Sequence, residues 1–378
     1  MKIALFTNIL NPYRITFFDK CFQCATEQGH SFRIYAMTGE KCDRPWKYQE
    51  FRREYTFLLK GKTVYVRGIT YLHFNTGLKR IVREYAPDVV VMAGSYLQPT
   101  VIWLTKHQKK YGYKTYFWSE SHFVGAKQYG GVVSKIRERI RTDVLGNMYG
   151  FWYPGIKAKD FILHYARKTA RLVQVQNTVD NAFFTQGQDT SDSIREQFHL
   201  SKHQKLIFTP ARLSPEKGLL EFCEILSGAD TSTYCWLIAG DGSLRDGLEG
   251  LIREKGLNVI LLGQKDQSEI RDLYHASDVF LLPSKLDHNP LSCIEAIWCG
   301  LPLFLSEGVG NIDEILREGC NGYSFSYSNK EEALRKLQLM LSQSDEWYKN
   351  AGEISHGIAA EQFDQKEVAF RTIKALTE

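Results

Sequence analysis

The chain has 378 residues, 43% hydrophobic and 24% charged, with a formal net charge of +5. A length beyond one ordinary core predicts two domains of about 150 to 200 residues, and the lack of any run of about 18 apolar residues argues against a membrane-spanning helix. The opening MKIALFTNILNPYR has neither the charge order nor the small-residue cleavage site of a signal peptide, which predicts a cytoplasmic protein.

In chain order, short apolar runs alternate with helical patterns. The first half offers strands near 2–7 (KIALFT), 31–37, 88–94 (DVVVMAG), 113–119, 148–154 and 171–177. The second half offers 205–211 (KLIFTPA), 234–240 (YCWLIAG), 258–263, 278–284 (DVFLLPS) and 301–307. Near-continuous apolar strands separated by helices imply parallel sheets covered on both faces, hence two doubly wound α/β domains. The polar stretch 185–193 (TQGQDTSDS) lacks apolar periodicity and reads as the linker. The eight cysteines, at 21, 24, 42, 223, 235, 293, 299 and 320, are scattered and read as reduced, packed thiols. Cys21-x-x-Cys24 has no second pair or histidine cluster, so no metal centre is expected there.

Charge divides sharply along the chain. Residues 1–180 hold 29 Lys plus Arg against 13 Asp plus Glu, a net of +16, while residues 181–378 hold 19 against 30, a net of −11. Such asymmetry is expected when one half faces an anionic partner. Within the basic half, 132–143 (VVSKIRERIRTD) sets Lys135, Arg137, Arg139 and Arg141 around Val133, Ile136 and Ile140. That pattern suits an interfacial helix on an anionic membrane, or an ordinary surface helix.

In open parallel sheets ligands sit beyond the C-terminal strand ends, and there the second half is dense in chemistry. After the first strand, Arg212 and Lys217 are spaced to converge on one site. After the second, Gly240 and Gly242 allow close backbone approach, and Ser243 is placed to cap the next helix. Gly263 closes the third. After the fourth comes DHNPLSCIEAIWCGLP, with Asp287 and Glu295 on either side of a helix start marked by Asn289 and Pro290 and a stop marked by Gly300 and Pro302. A helix N-terminus is a natural anion site, because its free N–H groups and dipole point outward. Acids beside it should therefore serve another part of the ligand. Taken singly, each feature could be a solvated loop charge or a strand terminator.

Together, TPARLSPEKG, LIAGDGSL, LLGQKDQSEIRDLYHASDVFLLPS, DHNPLSCIEAIWCGLP and EGVGNIDEILREGCNG (307–322) resemble the retaining GT-B nucleotide-sugar glycosyltransferases of group 1, or family 4. NILNPYRITFFDK, WSESH and VQNTVDNAFF extend a weaker resemblance into the first half. The resemblance implies a GT-B fold, two doubly wound Rossmann-like domains facing each other across a cleft. Residues 1–185 would form the acceptor domain, 186–360 the donor domain, and 361–378 a C-terminal helix crossing back to the first domain. It further implies a retaining, metal-independent transfer from a nucleoside diphosphate sugar to a glycan acceptor, with no cofactor beyond that co-substrate.

By the same resemblance, the Glu-x7-Glu motif of the family falls on Asp287 and Glu295, with Asp in place of the first Glu. Glu295 would accept hydrogen bonds from the ribose and Asp287 would hold hydroxyls of the donor sugar. The N–H groups of Leu291, Ser292 and Cys293, after Asn289 and Pro290, would face the diphosphate, with Arg212 and Lys217 on its other side. Gly240, Gly242 and Gly263 complete the donor side. In place of the family's glycine-rich loop after the first strand this chain has TNILNPYR, where Asn11, Tyr13 and Arg14 are the acceptor-side candidates. The family often has a His near the sugar after the strand matching YKTYFW; SESH offers Glu120 and His122, and both remain candidates.

The basic half points to a lipid-linked, phosphate-bearing acceptor at the inner membrane face, as in surface polysaccharide or lipopolysaccharide assembly. Nucleic acid is not expected, since no nucleic-acid module is recognisable. Two alternatives stand beside this reading: a sugar-nucleotide epimerase or phosphorylase on the same fold, and a non-catalytic sugar-nucleotide-binding partner subunit, which Asp287 and the missing glycine loop motivate.

Overall fold

The structure is a computed structural model and describes residues 1–41, 44–66, 70–123, 131–187, 191–201 and 203–378. The chain forms two compact units, Met1–Thr178 with Gln365–Glu378, and Val179–Asp364.

The first unit contains β1 (Lys2–Thr7), β2 (Ser31–Ala36), β3 (Glu40–Lys41), β4 (Arg44–Lys47), β5 (Thr56–Leu58), β6 (Gly61–Val66), β7 (Thr70–Asn75), β8 (Val89–Ala93), β9 (Lys114–Trp118), β10 (Gly150–Tyr153) and β11 (Arg171–Gln174). Seven of them make a sheet in the order β11-β10-β9-β8-β1-β2-β5, all parallel. The inner strands are buried on both faces, which is why β1 and β8 read as nearly unbroken apolar runs. Ile3 and Leu5 of β1 join one core with Val89 and Val91, while Ala4 and Phe6 join the opposite core with Val90 and Met92. The edge strand β5 and the antiparallel pairs β3–β4 and β6–β7 were not expected. β6 is exposed along most of its length, so no buried face marks it in the sequence.

The second unit contains β12 (Lys205–Pro210), β13 (Tyr234–Ala239), β14 (Val259–Gly263), β15 (Val279–Leu282), β16 (Leu303–Ser306) and β17 (Gly322–Phe325). The order is β14-β13-β12-β15-β16-β17, all parallel. Numbered within the unit this is 3-2-1-4-5-6, the order of dinucleotide-binding sheets, and it reverses between the first and fourth strands. The loops that follow β12 and β15 therefore leave the sheet side by side at the switch point. β17, a short edge strand, was also missed in the sequence.

The boundary between units falls at 178/179 rather than 185/186. The helix Asn181–Thr185 belongs with the second unit, because Phe184 is fully buried in that unit's core with Phe208 and Tyr274. The expected linker is correspondingly shorter: Thr185 ends one helix, Ser191 begins another (Ser191–Gln197), and 188–190 lie outside the described residues. The return to the first unit falls at 364/365. There the helix Gln365–Thr377 packs on the helix Pro12–Glu27, burying Val368, Ile373 and Leu376 with Ile15, Phe18 and Cys21. Each such side chain contributes about 1.5 to 3 kcal/mol. Among the described cysteines all are free thiols, and Cys320 is exposed where packing was expected; Cys42 lies outside the described residues.

Candidate functional site

The loop after β12 carries Arg212, Ser214, Glu216 and Lys217. Lys217 Nζ donates to Asp287 Oδ2 in the loop after β15, and the two side chains are only 15% and 19% exposed. Arg212 pairs with Glu216 at 3.1 Å and is largely exposed. Glu216, which the sequence reading passed over, organises this loop. Its carboxylate accepts from the Ser214 hydroxyl at 2.7 Å, and its backbone carbonyl accepts from the N–H groups of Lys285 and Leu286 at 2.9 and 3.2 Å. Burial pushes the Glu216 carboxyl up, but Ser214, its own backbone N–H and the cations of Arg212 and Lys217 together hold it below its usual range. The two loops at the switch point are thus tied by backbone bonds as well as by the ion pair.

A third loop, after β16, fixes Asp287 from the other side. Asp287 N–H donates to Gly308 O at 3.0 Å, and Gly310 N–H donates to Asp287 O at 2.8 Å. A Cβ at Gly310 would lie 1.8 Å from His288 O, so only glycine permits this approach. Asn311, 1% exposed, donates from Nδ2 to Pro290 O at 3.1 Å and so pins the start of the next helix.

That helix is Leu291–Trp298, and its N-cap residue Pro290 supplies no side-chain acceptor. The first-turn N–H groups of Leu291, Ser292 and Cys293 therefore depend on an acceptor from outside the helix, and the dipole favours an anion. Cys293 is fully buried, and burial pushes its thiol well up, so it is a wall of the site rather than a nucleophile. Gly300, with φ +71°, stops the helix as expected. Glu295 faces inward and is 9% exposed. Burial raises its carboxyl to about 7 against the opposing hydrogen bond from Tyr274, whose hydroxyl lies 2.9 Å from Oε2.

The glycines after β13 act on the neighbouring loop. Gly240, at φ +144°, would drive a Cβ to within 2.0 Å of Ala211 O, and Gly242 would drive one to 2.4 Å from Leu213 O. Their close approach seats the loop bearing Arg212. Gly263 O accepts from Gly240 N–H at 2.7 Å. Ser243 does not cap the next helix: that helix spans Arg245–Lys255, with Leu244 at the N-cap and no side-chain cap bond.

In the first unit, Asn11 Oδ1 accepts from Arg14 N–H at 2.8 Å, so this side chain caps the helix Pro12–Glu27 instead of offering its oxygen to a ligand. Arg14 stacks 4.4 Å from the Trp118 ring centroid and pairs with Glu120 at 2.8 Å; Asn177 also donates to Glu120, at 3.1 Å. The structure thus joins two candidates that the sequence kept apart, Arg14 and Glu120. Tyr13 is exposed and His122 is buried.

The helix Gly131–Gly146 exists as expected, but its cations divide. Lys135, Ile136 and Arg139 are exposed. Arg141 turns inward, bonding to Tyr165 and Tyr96 at 2.8 and 3.1 Å and lying 5.7 Å from the Phe161 ring centroid, so it belongs to the fold rather than to an outer surface. Nothing is described of the Val133 side chain. Among the described residues, no helix is long and apolar enough to cross a membrane.

Two Rossmann-like units, one with cations and a helix N-terminus at its switch point, define a doubly wound α/β protein. Residues 190–355, almost the whole of the second unit, match the family described as glycosyl transferases group 1. The chain is similar to the amylovoran biosynthesis glycosyltransferase AmsK of Erwinia amylovora, 33% identical over 166 residues, 40% of each chain. It is similar to the alpha-monoglucosyldiacylglycerol synthase of Streptococcus pneumoniae, 22% identical over 97% of this chain and 84% of that one. The matches to the first curated relatives span about half of their length or less, at 51%, 40% and 34%. Over 100% of both chains the fold matches Anabaena HepE in complex with UDP, at a TM-score of 0.78 and 13% identity. The chain has the GT-B fold.

Proposed function

We propose that the protein is a retaining glycosyltransferase that moves a sugar from a nucleoside diphosphate sugar to a glycan acceptor. The observation that carries this reading is the convergence at one switch point of Lys217, Arg212, Asp287, the N-terminus of Leu291–Trp298 and the buried carboxyl of Glu295. The cations and the first-turn N–H groups take the diphosphate. Glu295 takes the ribose, and Asp287 takes hydroxyls of the sugar. The diphosphate competes with Asp287 for Lys217, which turns the carboxylate toward the sugar. As the anomeric bond breaks, charge grows on the leaving diphosphate, and each prepositioned donor stabilises that transition state by about 3 kcal/mol. The leaving phosphate takes the acceptor's proton on the same face, and no residue serves as a metal ligand in this scheme.

The acceptor is a lipid-linked glycan, and the product enters surface polysaccharide or glycolipid. Two observations support this part. The first unit holds 32 Lys plus Arg against 14 Asp plus Glu, and the relative that aligns with 97% of this chain is named for a diacylglycerol product. Lys135 and Arg139, beside exposed Ile136, form the contact with anionic lipid at the inner face of the membrane.

The test is a thermal-shift screen of UDP, GDP and ADP sugars, UDP first because HepE was solved with it, followed by assay of nucleoside diphosphate release with lipid-linked acceptors. A stabilising donor that is turned over only with acceptor is expected. Binding without turnover on any acceptor favours the partner-subunit reading, and no stabilisation by any nucleotide sugar refutes the proposal.

A further inference from the structure

Tyr274 is a buried polar residue beside the candidate site that the reading above leaves without a role. It sits in the helix Gln267–Ala276 and is fully buried. Phe184, Phe208 and Phe280 surround its ring, with centroids 6.1, 5.1 and 6.0 Å away. Packing among these rings would be served as well by phenylalanine, so the hydroxyl needs its own explanation. That hydroxyl lies 2.9 Å from Glu295 Oε2 and 3.0 Å from Ser292 O, both on the helix whose N-terminus faces the site.

One hydroxyl hydrogen serves one of these acceptors at a time. An ionised carboxylate is the stronger acceptor, so with Glu295 charged the hydrogen goes to Oε2. The carboxyl group would otherwise be free to rotate between two equivalent oxygens. Donation to one of them fixes its plane and commits that oxygen. Among the described residues, no side-chain or backbone donor is bonded to Oε1.

We propose that Tyr274 is a positioning residue for ribose recognition: its hydroxyl holds Oε2 of Glu295 and thereby presents Oε1 to the ribose hydroxyls of the nucleotide. The proposal rests on the assignment of Glu295 to the ribose. The same hydrogen bond favours the charged acceptor against burial. Tyr274 touches no substrate and acts only through Glu295.

The test compares the full chain with Tyr274→Phe by calorimetry. The probes are whichever of UDP, GDP and ADP binds wild type tightest, and the 2′,3′-dideoxy analogue of that nucleotide. Wild type should prefer the ribonucleotide. Tyr274→Phe should weaken the ribonucleotide about tenfold, the scale of one hydrogen bond to a charged group, and leave the dideoxy analogue within about twofold. A structural role would weaken both nucleotides equally, and that result overturns the proposal, as does an unchanged ribose preference. In a Glu295→Gln background, Tyr274→Phe should change the ribose preference no further; a fully additive loss also counts against it. A thermal scan shows whether the variant is folded, and should it not be, the loss of ribose preference is sought in Tyr274→Met, which keeps an apolar side chain and lacks the donor. If wild type binds none of the three nucleotides, or does not distinguish ribose from dideoxyribose, the ribose assignment of Glu295 falls first and takes the proposal with it.

Discussion

Glu295→Gln should make the protein more stable in mild alkali while weakening its grip on nucleotide. Burial raises the Glu295 carboxyl to about 7, against an ordinary value near 4.3 that it regains on unfolding. A raised folded-state value means that the folded chain holds this proton more tightly than the unfolded chain does. The resulting stability is fully present below about pH 4.3, is lost as pH rises to about 7, and changes no further above that. At about 1.36 kcal/mol for each pKa unit, the full loss is on the order of 4 kcal/mol. Glutamine carries no such proton, keeps the shape of the side chain, and still accepts from Tyr274 through its amide oxygen. The stability of the variant relative to wild type should therefore rise by about 2 to 3 kcal/mol between pH 5 and pH 8. Urea unfolding followed by tryptophan fluorescence at the two pH values measures this directly, since Trp236 and Trp298 are both buried in the second unit. The same variant should lose about 1.5 to 3 kcal/mol of affinity for a nucleoside diphosphate in calorimetry at pH 8, as one charged hydrogen bond is removed. An equal stability difference at both pH values would refute the buried-carboxyl argument, and unchanged nucleotide affinity would refute the ribose assignment.

Replacing Arg212 or Lys217 by Ala should lower kcat more than donor affinity, because leaving-group charge grows in the transition state; a purely raised KM with normal kcat would remove both from the diphosphate. Gly310→Ala places a methyl group 1.8 Å from His288 O, and should destabilise the second unit by about 1 to 3 kcal/mol in urea unfolding. Gly250→Ala, in mid-helix with nothing within 4 Å, should instead stabilise it by roughly 0.5 to 1 kcal/mol. Lys135→Ser with Arg139→Ser should abolish most co-sedimentation with anionic vesicles at low salt without shifting the thermal midpoint, since the attraction is about 1 kcal/mol per cation near the surface and is screened by salt. Arg141→Ser should lower the midpoint and leave vesicle binding unaffected, because that guanidinium is bonded to Tyr96 and Tyr165.

The central strands of both sheets were legible in the sequence because both their faces are buried, so that every residue from Ile3 to Phe6 or from Leu206 to Phe208 is apolar. The edge strands β5 and β17 and the exposed β6 carry no such mark, since only burial writes a pattern into a strand. The loops that bear Arg212, Lys217 and Asp287, and the helix that carries Glu295, were legible for a related reason: each follows a readable strand, and chemistry in such sheets gathers at the strand ends. The partnerships among the candidate residues were not legible. Lys217 meets Asp287 across 70 residues, Arg14 meets Glu120 across 106, and Tyr274 meets Glu295 across 21. Helix and strand periods describe neighbours three, four or two residues apart, and no local period records a pairing made when distant strands come to lie side by side. For the same reason the sequence presented Arg141 as one more surface cation and Asn11 as a free polar contact. Only the packed chain determined that the first is enclosed by aromatic rings and the second is taken up in starting a helix.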